Sequence, residues 1–287
     1  MTENVRAACI IGWPVEHSRS PLIHNYWLKS YGIAGAYRSE AVPPGEFETF
    51  VQSLAARGYV GANVTVPHKE AALAFSLPDD RAKAVGAANT LWIADGFLQA
   101  TNTDVEGFLN NLDAATPQWD RDLKNVVVVG AGGAARAVVY ALASRDAPRI
   151  TVVNRTEHRA AALRQRFGER VEVASFAVLN DLIGDAALLV NTTTLGMAGQ
   201  PELPADVGRL PGHAVVADLV YVPLATPLIQ AAKARGLRTA DGLGMLLHQA
   251  VRGFTLWFGR KPEVTAQLRA LAEADLGPSA AEGTGIT

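Results

Sequence analysis

Two hydrophobic periods alternate along this chain, short apolar runs followed by stretches with apolar residues three and four apart. Residues 5–11 form a near-continuous apolar run and predict a strand. A polar loop follows, and Ser20 as N-cap with Pro21 at the first helical position predicts a helix to about Ser30. Ala36 to Val42 predicts a second strand. Pro44 to Arg57 carries Phe47, Phe50, Val51 and Leu54 at helical spacing and predicts an amphipathic helix closed by Gly58. Tyr59 to Val66 predicts a third strand, with a helix starting at Pro67. Asn89–Ala94 and Phe97–Thr101 flank Asp95-Gly96 and predict a hairpin. Asp104 to Ala115 predicts a connecting helix, and 115–118 a linker.

Beyond the linker the strands become more uniformly apolar. Val126 to Val129 is four β-branched residues in a row, the pattern of a parallel strand buried on both faces. Further strands are expected at Ile150–Val153, Val171–Ala174, Ala187–Val190, Ala214–Leu219 and Leu237–Thr239. Helices are expected over Ala134–Ala143 and Leu243–Phe258, the latter apolar over enough of its surface to meet more than one neighbour. Gly277 to Thr287 is small and polar and reads as a frayed tail. The alternation implies an α/β chain with mainly parallel sheets, the hairpin adding an antiparallel edge.

Composition narrows the class. The 287 residues suffice for two domains, 49% are hydrophobic and 19% charged, and the formal charge is 26 − 28 = −2. That balance argues against a nucleic-acid or anionic-membrane partner. No segment has the length of a bilayer span, and Met1 to Arg6 carries no signal-peptide pattern. Cys9, the single cysteine, lies in an apolar run and reads as a buried thiol, consistent with a reducing, cytoplasmic compartment.

Candidate chemistry begins after the valine run. Gly130, Gly132 and Ala135 fill the spacing G-x-G-x-x-A between a strand and a helix, a phosphate cradle for a dinucleotide. Asn154-Arg155-Thr156 ends the next strand where an NAD site usually carries a carboxylate. A guanidinium pairs with a 2′-phosphate, so NADP is expected, the alternative being an ordinary surface arginine. The first half offers four polar clusters: His17-Ser18-Arg19-Ser20, Asn63-Val64-Thr65-Val66-Pro67-His68-Lys69, Gly86-Ala87-Ala88-Asn89-Thr90 and Thr101-Asn102-Thr103-Asp104. Lys69 falls in the first turn of a helix, where the dipole disfavours a cation, so helix stability does not explain it. A lysine beside a carboxylate can donate a proton to a developing alkoxide. From the residues alone, Ser20 and Asp104 are equally readable as caps and Lys69 as a solvated side chain. His17, His24 and His68 read as structural, and no metal site is expected.

Together these ordered segments resemble the shikimate dehydrogenase family, which reduces 3-dehydroshikimate to shikimate with NADPH in the route to chorismate and the aromatic amino acids. The resemblance spans Gly12–Asn25, Asn63–Lys69, Gly86–Thr90, Asn102–Gly107, Gly130–Ala135, Asn154–Thr156, Asn191–Met197, Asp218–Tyr221 and Asp241–Gln249. It implies a substrate-binding α/β domain of residues 1–103 and 247–287, a Rossmann NADP-binding domain of 104–246, and a cleft between them. It further implies that Lys69 and Asp104 are the catalytic pair. Ser18, Ser20, Thr65, Asn89, Tyr221 and Gln249 would join them in binding a small-molecule substrate. Gly130, Ala131, Gly132, Gly133, Ala134, Asn154, Arg155, Thr156, Thr192, Leu219, Gly242 and Met245 would bind NADP. Two departures stand out: Thr192-Thr193-Thr194 where relatives often carry Ala-Thr-Ser, and His248 beside Gln249, which bears on how that amide is oriented. A quinate/shikimate dehydrogenase using NAD or NADP is the near alternative, with serine rather than threonine at position 20 leaning toward shikimate. A catalytically silent cofactor sensor is the distant alternative. A monomer or homodimer is expected.

Overall fold

The computed structural model describes residues 5–277, and the tail expected beyond Gly277 lies outside them. The chain folds into two compact units, one running to Asp104 and taking in Leu247–Leu268, the other holding Val105–Leu246 and the chain from Arg269.

The first unit holds β1 (Arg6–Gly12), α1 (Ser20–Ser30), β2 (Gly35–Ala41), α2 (Phe47–Gln52), β3 (Tyr59–Val64), α3 (Lys69–Ala74), β4 (Leu77–Pro78), α4 (Asp80–Val85), β5 (Thr90–Ala94) and β6 (Phe97–Thr101). Its sheet has the order β2-β1-β3-β5-β6-β4. β1 runs parallel to β2 and β3, and the β5–β6 hairpin joins β3 antiparallel. The register sets Asn63, Thr90 and Thr101 side by side on three strands.

Several expectations shift here. The helix expected over Pro44–Arg57 is a 3-10 turn at Pro44–Glu46, then α2, then turns to Gly58. Ser53 explains the early stop, because its hydroxyl takes the carbonyls of Thr49 and Phe50 and competes with the helix ladder. β3 ends at Val64 rather than Val66, since Pro67 has no N–H with which to extend a ladder. α1 starts with Ser20 inside it and Arg19 at the N-cap, so Ser20 is not the cap. The side chain that accepts there is Ser18, whose Oγ lies 3.2 Å from the Ser20 N–H. β4 and α4, of two and six residues, are too short for a periodic signal.

α5 (Asp104–Ala115) leads into the second unit, with β7 (Asn125–Val129), α6 (Gly133–Ser144), β8 (Arg149–Val153), α7 (Glu157–Phe167), β9 (Val171–Ala174), α8 (Leu179–Leu182), β10 (Leu188–Asn191), β11 (Val215–Asp218), α9 (Pro227–Ala234) and β12 (Arg238–Ala240). The sheet order β12-β11-β10-β7-β8-β9 is parallel throughout and reverses at β7. That is the doubly wound Rossmann order, in which ligands sit beyond the carboxyl ends of the strands at the reversal. Val126–Val129 are buried, as a strand covered on both faces requires.

α10 (Gly242–Phe258) and α11 (Ala266–Asp275) complete the described residues. Trp257 near the end of α10 donates its indole N–H to the Leu91 carbonyl at 2.8 Å. Gly61 makes that approach possible: a Cβ there would fall 2.1 Å from the indole nitrogen. No helix among the described residues is long and apolar enough to cross a membrane.

Candidate active site

In the first unit three of the four polar clusters converge, those holding Lys69, Asn89 and Asp104. Lys69 opens α3 and Asp104 opens α5, and Lys69 Nζ lies 2.6 Å from Asp104 Oδ2. The lysine is half-buried and the carboxylate nearly buried, so the pair is shielded but reachable. Asp104 is the first residue of α5, and its carboxylate meets side chains from other elements. Asn102 Oδ1 accepts the Asp104 N–H at 3.1 Å, and the carboxylate is thereby left for Lys69 and for Asn89 Nδ2, 2.9 Å from Oδ1. Asn89 is buried at the foot of β5, where its backbone pairs with Thr101 and Val64. Its Nδ2 also lies 3.3 Å from Gln249 Oε1, which turns the Gln249 carbonyl toward Asn89 and leaves its NH₂ end to serve a ligand.

Thr65 follows β3 half-buried, with its N–H on the Ile11 carbonyl. Ser20 is buried and Ser18 half-buried at the start of α1. His68 stacks on Phe47 and reaches the Val42 carbonyl at 2.7 Å, and His17 is exposed. His24 is wholly buried among Tyr37, Trp27, Phe254 and Trp257, with neither ring nitrogen in hydrogen-bond geometry with a described residue. Burial drives its pKa down to about 3, opposed only in part by the neighbouring Asn63 side chain. Burial pushes the Cys9 thiol well up, so it stays protonated.

Residues that sequence reasoning did not assign a role complete this site. Tyr37, Asn63, Thr90 and Thr103 are buried and bonded to one another or to Asn89. A buried asparagine inside a strand, where β-branched residues are favoured, was the available signal at Asn63.

The second unit presents backbone rather than side chains. Gly130 ends the first strand of the fingerprint at φ +108°, and a Cβ there would meet Thr192 Oγ1 at 2.4 Å. Thr192 donates its hydroxyl to the Val129 carbonyl at 2.7 Å and so forms the wall behind the loop. At Gly132 and Gly133 an added Cβ would meet nothing within 4 Å, and α6 has no side-chain cap over its first N–H groups. Open space before uncapped donors at a twelve-residue helix fits a pyrophosphate, with Ala131 and Ala134 flanking it. Asn154 donates to the Thr156 carbonyl at 2.8 Å, which tightens the turn and leaves Arg155 exposed. The arrangement fits a 2′-phosphorylated adenosine.

Leu219 and Tyr221 lie half-buried in the loop after β11, Met245 is buried in α10, and Gly242 packs on that loop, where a Cβ would fall 2.2 Å from the Leu219 carbonyl. Asp218 anchors this loop. Its carboxylate accepts from Asn191 Nδ2 at 2.9 Å, the Val220 N–H at 3.1 Å and the Thr226 hydroxyl at 2.6 Å. Burial raises its pKa, and those three donors pull the other way. Among the described residues no cluster of three or more His, Cys, Asp or Glu could hold a metal ion.

A glycine cradle on a doubly wound sheet, together with a shielded lysine–carboxylate pair, defines a pyridine-dinucleotide oxidoreductase. Comparison with known proteins narrows this. Residues 10–91 match the shikimate dehydrogenase substrate binding domain, 114–197 the shikimate/quinate 5-dehydrogenase family, and 242–271 the shikimate 5′-dehydrogenase C-terminal domain. A shikimate dehydrogenase (NADP(+)) of Afipia carboxidovorans is 65% identical over 269 residues, 94% of this chain and 97% of that one. The structure of shikimate 5-dehydrogenase from Thermus thermophilus with NADP(H) and shikimate superposes with a TM-score of 0.82 at 36% identity, over 94% of this chain and 99% of that one. Quinate dehydrogenase from Corynebacterium glutamicum with NAD superposes at 0.88 with 32% identity and the same coverage. The chain belongs to the shikimate dehydrogenase family.

Proposed function

We propose that this protein catalyses the reversible NADPH-dependent reduction of 3-dehydroshikimate to shikimate. The observation that carries the mechanism is the 2.6 Å contact between Lys69 and Asp104. When bound, the reduced nicotinamide supplies a hydride to the ketone carbon. Lys69 then protonates the oxygen on which negative charge develops. Asp104 keeps the ammonium oriented and accepts a hydrogen bond from the neighbouring ring hydroxyl. Ser18 and Ser20 bind the substrate carboxylate at the start of α1. Thr65, Asn89 and Gln249 hold the ring substituents, and Tyr221 is a further candidate for substrate binding. Gly130 to Ala134 would hold the pyrophosphate and Asn154, Arg155 and Thr156 the 2′-phosphate, with Thr192, Leu219, Gly242 and Met245 as further residues that would bind the cofactor.

The likeness to a quinate dehydrogenase solved with NAD supports a second reading, quinate oxidation. Arg155 without a carboxylate in its turn weighs against NAD, since a free guanidinium favours the 2′-phosphate. The test is NADPH oxidation followed by absorbance with 3-dehydroshikimate, run beside quinate and shikimate oxidation with NADP and NAD. Turnover of 3-dehydroshikimate with NADPH is expected to dominate. Preference for quinate with NAD would replace the first reading by the second, and NADPH binding without any turnover would leave a cofactor sensor.

A further inference from the structure

The Lys69–Asp104 pair ends a longer series of buried hydrogen bonds whose polarity can be followed from donor to acceptor. It passes through Tyr37 on β2, whose phenol also bonds the Ser20 side chain and whose backbone is clamped by two 3.0 Å bonds to the Asn25 side chain of α1. Burial raises the Tyr37 phenol well above its ordinary pKa, so it keeps its proton and is a donor. It donates to Asn63 Oδ1 at 2.5 Å. Asn63 therefore presents its NH₂ group to the Asn89 backbone carbonyl at 3.3 Å and to Thr90 Oγ1 at 3.2 Å.

The next link is fixed just as firmly. The Thr90 and Thr103 hydroxyls lie 3.1 Å apart and each lies 3.2 Å from Asn89 Oδ1. The Thr103 backbone N–H lies 2.7 Å from that same atom. A backbone N–H only donates, so this end of the Asn89 amide is the oxygen and the other end is NH₂. That NH₂ meets Asp104 Oδ1, while Lys69 meets Oδ2. A reversed Asn89 amide would set two oxygens against each other and release Asp104 from its place.

We propose that Asn63, held by Tyr37, is a positioning residue for proton transfer: it donates to Thr90 and so holds the Thr90–Thr103 hydroxyl pair against Asn89 Oδ1, reinforcing the amide direction that the Thr103 N–H sets, in which both Asp104 oxygens meet a donor. Asn63 is 4% exposed and both ends of its amide are engaged within the protein, so it acts through Asn89 and not on a ligand. The inference rests on Lys69 and Asp104 being the catalytic pair.

The test is a double-mutant cycle on kcat for 3-dehydroshikimate reduction. Asn63→Leu should lower kcat roughly ten- to a hundredfold and Tyr37→Phe about three- to tenfold, the effect of a misdirected buried hydrogen bond. KM for 3-dehydroshikimate should stay within about threefold and NADPH binding should be unchanged. In an Asn89→Ala background both substitutions should have almost no further effect, because the link they act through is already cut. Multiplicative losses, or losses confined to KM, would overturn the proposal. Tyr37→Phe removes a single oxygen and carries the cycle if Asn63→Leu does not fold. Normal turnover by Lys69→Ala would instead overturn the catalytic pair, an outcome distinct from an additive cycle in an enzyme that needs Lys69.

Discussion

The two units build sites from opposite materials. In the second, the strands are apolar and parallel, and the candidate phosphate site is bare backbone: Gly130 in a left-handed conformation, Gly132 and Gly133 open to solvent, and the uncapped start of α6. In the first, the strands that meet the site carry buried asparagines and threonines, and the chemistry rests on side chains whose directions are set by one another. A backbone site is closed to added atoms where it packs, as at Gly130, whereas at Gly132 and Gly133 an added atom would take only the ligand's space. A side-chain site admits little change in chemistry, because each group is aimed by its neighbours. Truncation in the first unit should therefore cost turnover, and enlargement in the second should cost folding and cofactor binding.

The largest expected effect is on the first side of that contrast. Lys69→Ala should lower kcat by about 10² to 10⁴, the range for loss of a general acid, while NADPH binding and thermal stability hold. Stopped-flow measurement of NADPH oxidation beside a fluorescence titration separates the two, and near-normal turnover would remove Lys69 from the chemistry. Gly130→Ala probes the other side. Its Cβ must enter the space of Thr192 Oγ1 at a φ that L-residues avoid. We expect a loss of roughly 2–4 kcal/mol in stability, read from the urea midpoint, with weakened NADPH binding. A midpoint equal to the parent's would mean that the loop relaxes freely and that the contrast is overstated.

The same contrast governs what could be read from the sequence. Val126–Val129 followed by Gly130, Gly132 and Ala135 is a local signal, because a doubly covered strand and a glycine turn each leave a continuous pattern. The substrate side is non-local. Lys69, Asn89 and Asp104 stand out as polar groups at element ends, but the partners that aim them come from elsewhere. Asn63 meets Thr90 through the β3–β5 pairing, and Tyr37 arrives from a strand two places away, a relation no window of residues contains. Capping is hard to read for a related reason. Ser20 and Asp104 both look like N-caps, yet Ser18 and Asn102, each two residues earlier, accept the N–H groups of Ser20 and Asp104 and free those side chains for other work.

Arg155 sharpens the comparison from within the second unit, as the charged side chain among the three on which cofactor choice is expected to rest. It is exposed at the end of β8 in a turn tightened by Asn154. Arg155→Ala should weaken NADPH binding by about 1.5–3 kcal/mol, the range for a hydrogen bond to a charged group, and leave NADH binding nearly unchanged. Calorimetric titration with both cofactors measures the difference. Equal losses for the two would place Arg155 away from the 2′-phosphate.

The smallest effect concerns the sheet beneath the first unit's site. His24 packs at 4.1 Å against Tyr37, a residue of the hydrogen-bonded series, and its pKa lies at about 3 against an ordinary 6.5. A base whose folded pKa is lowered binds its proton more readily when unfolded, so stability falls as pH drops below 6.5 and keeps falling until about 3. Between pH 7 and pH 5 that one proton accounts for about 2 kcal/mol. His24→Phe keeps an aromatic ring on Tyr37 but cannot titrate, so its urea midpoint should change less over this interval by the equivalent amount. Parallel midpoint curves for parent and variant would mean that the unfolded chain holds the imidazole as poorly solvated as the native one, and that the acid sensitivity of the first unit arises from other groups.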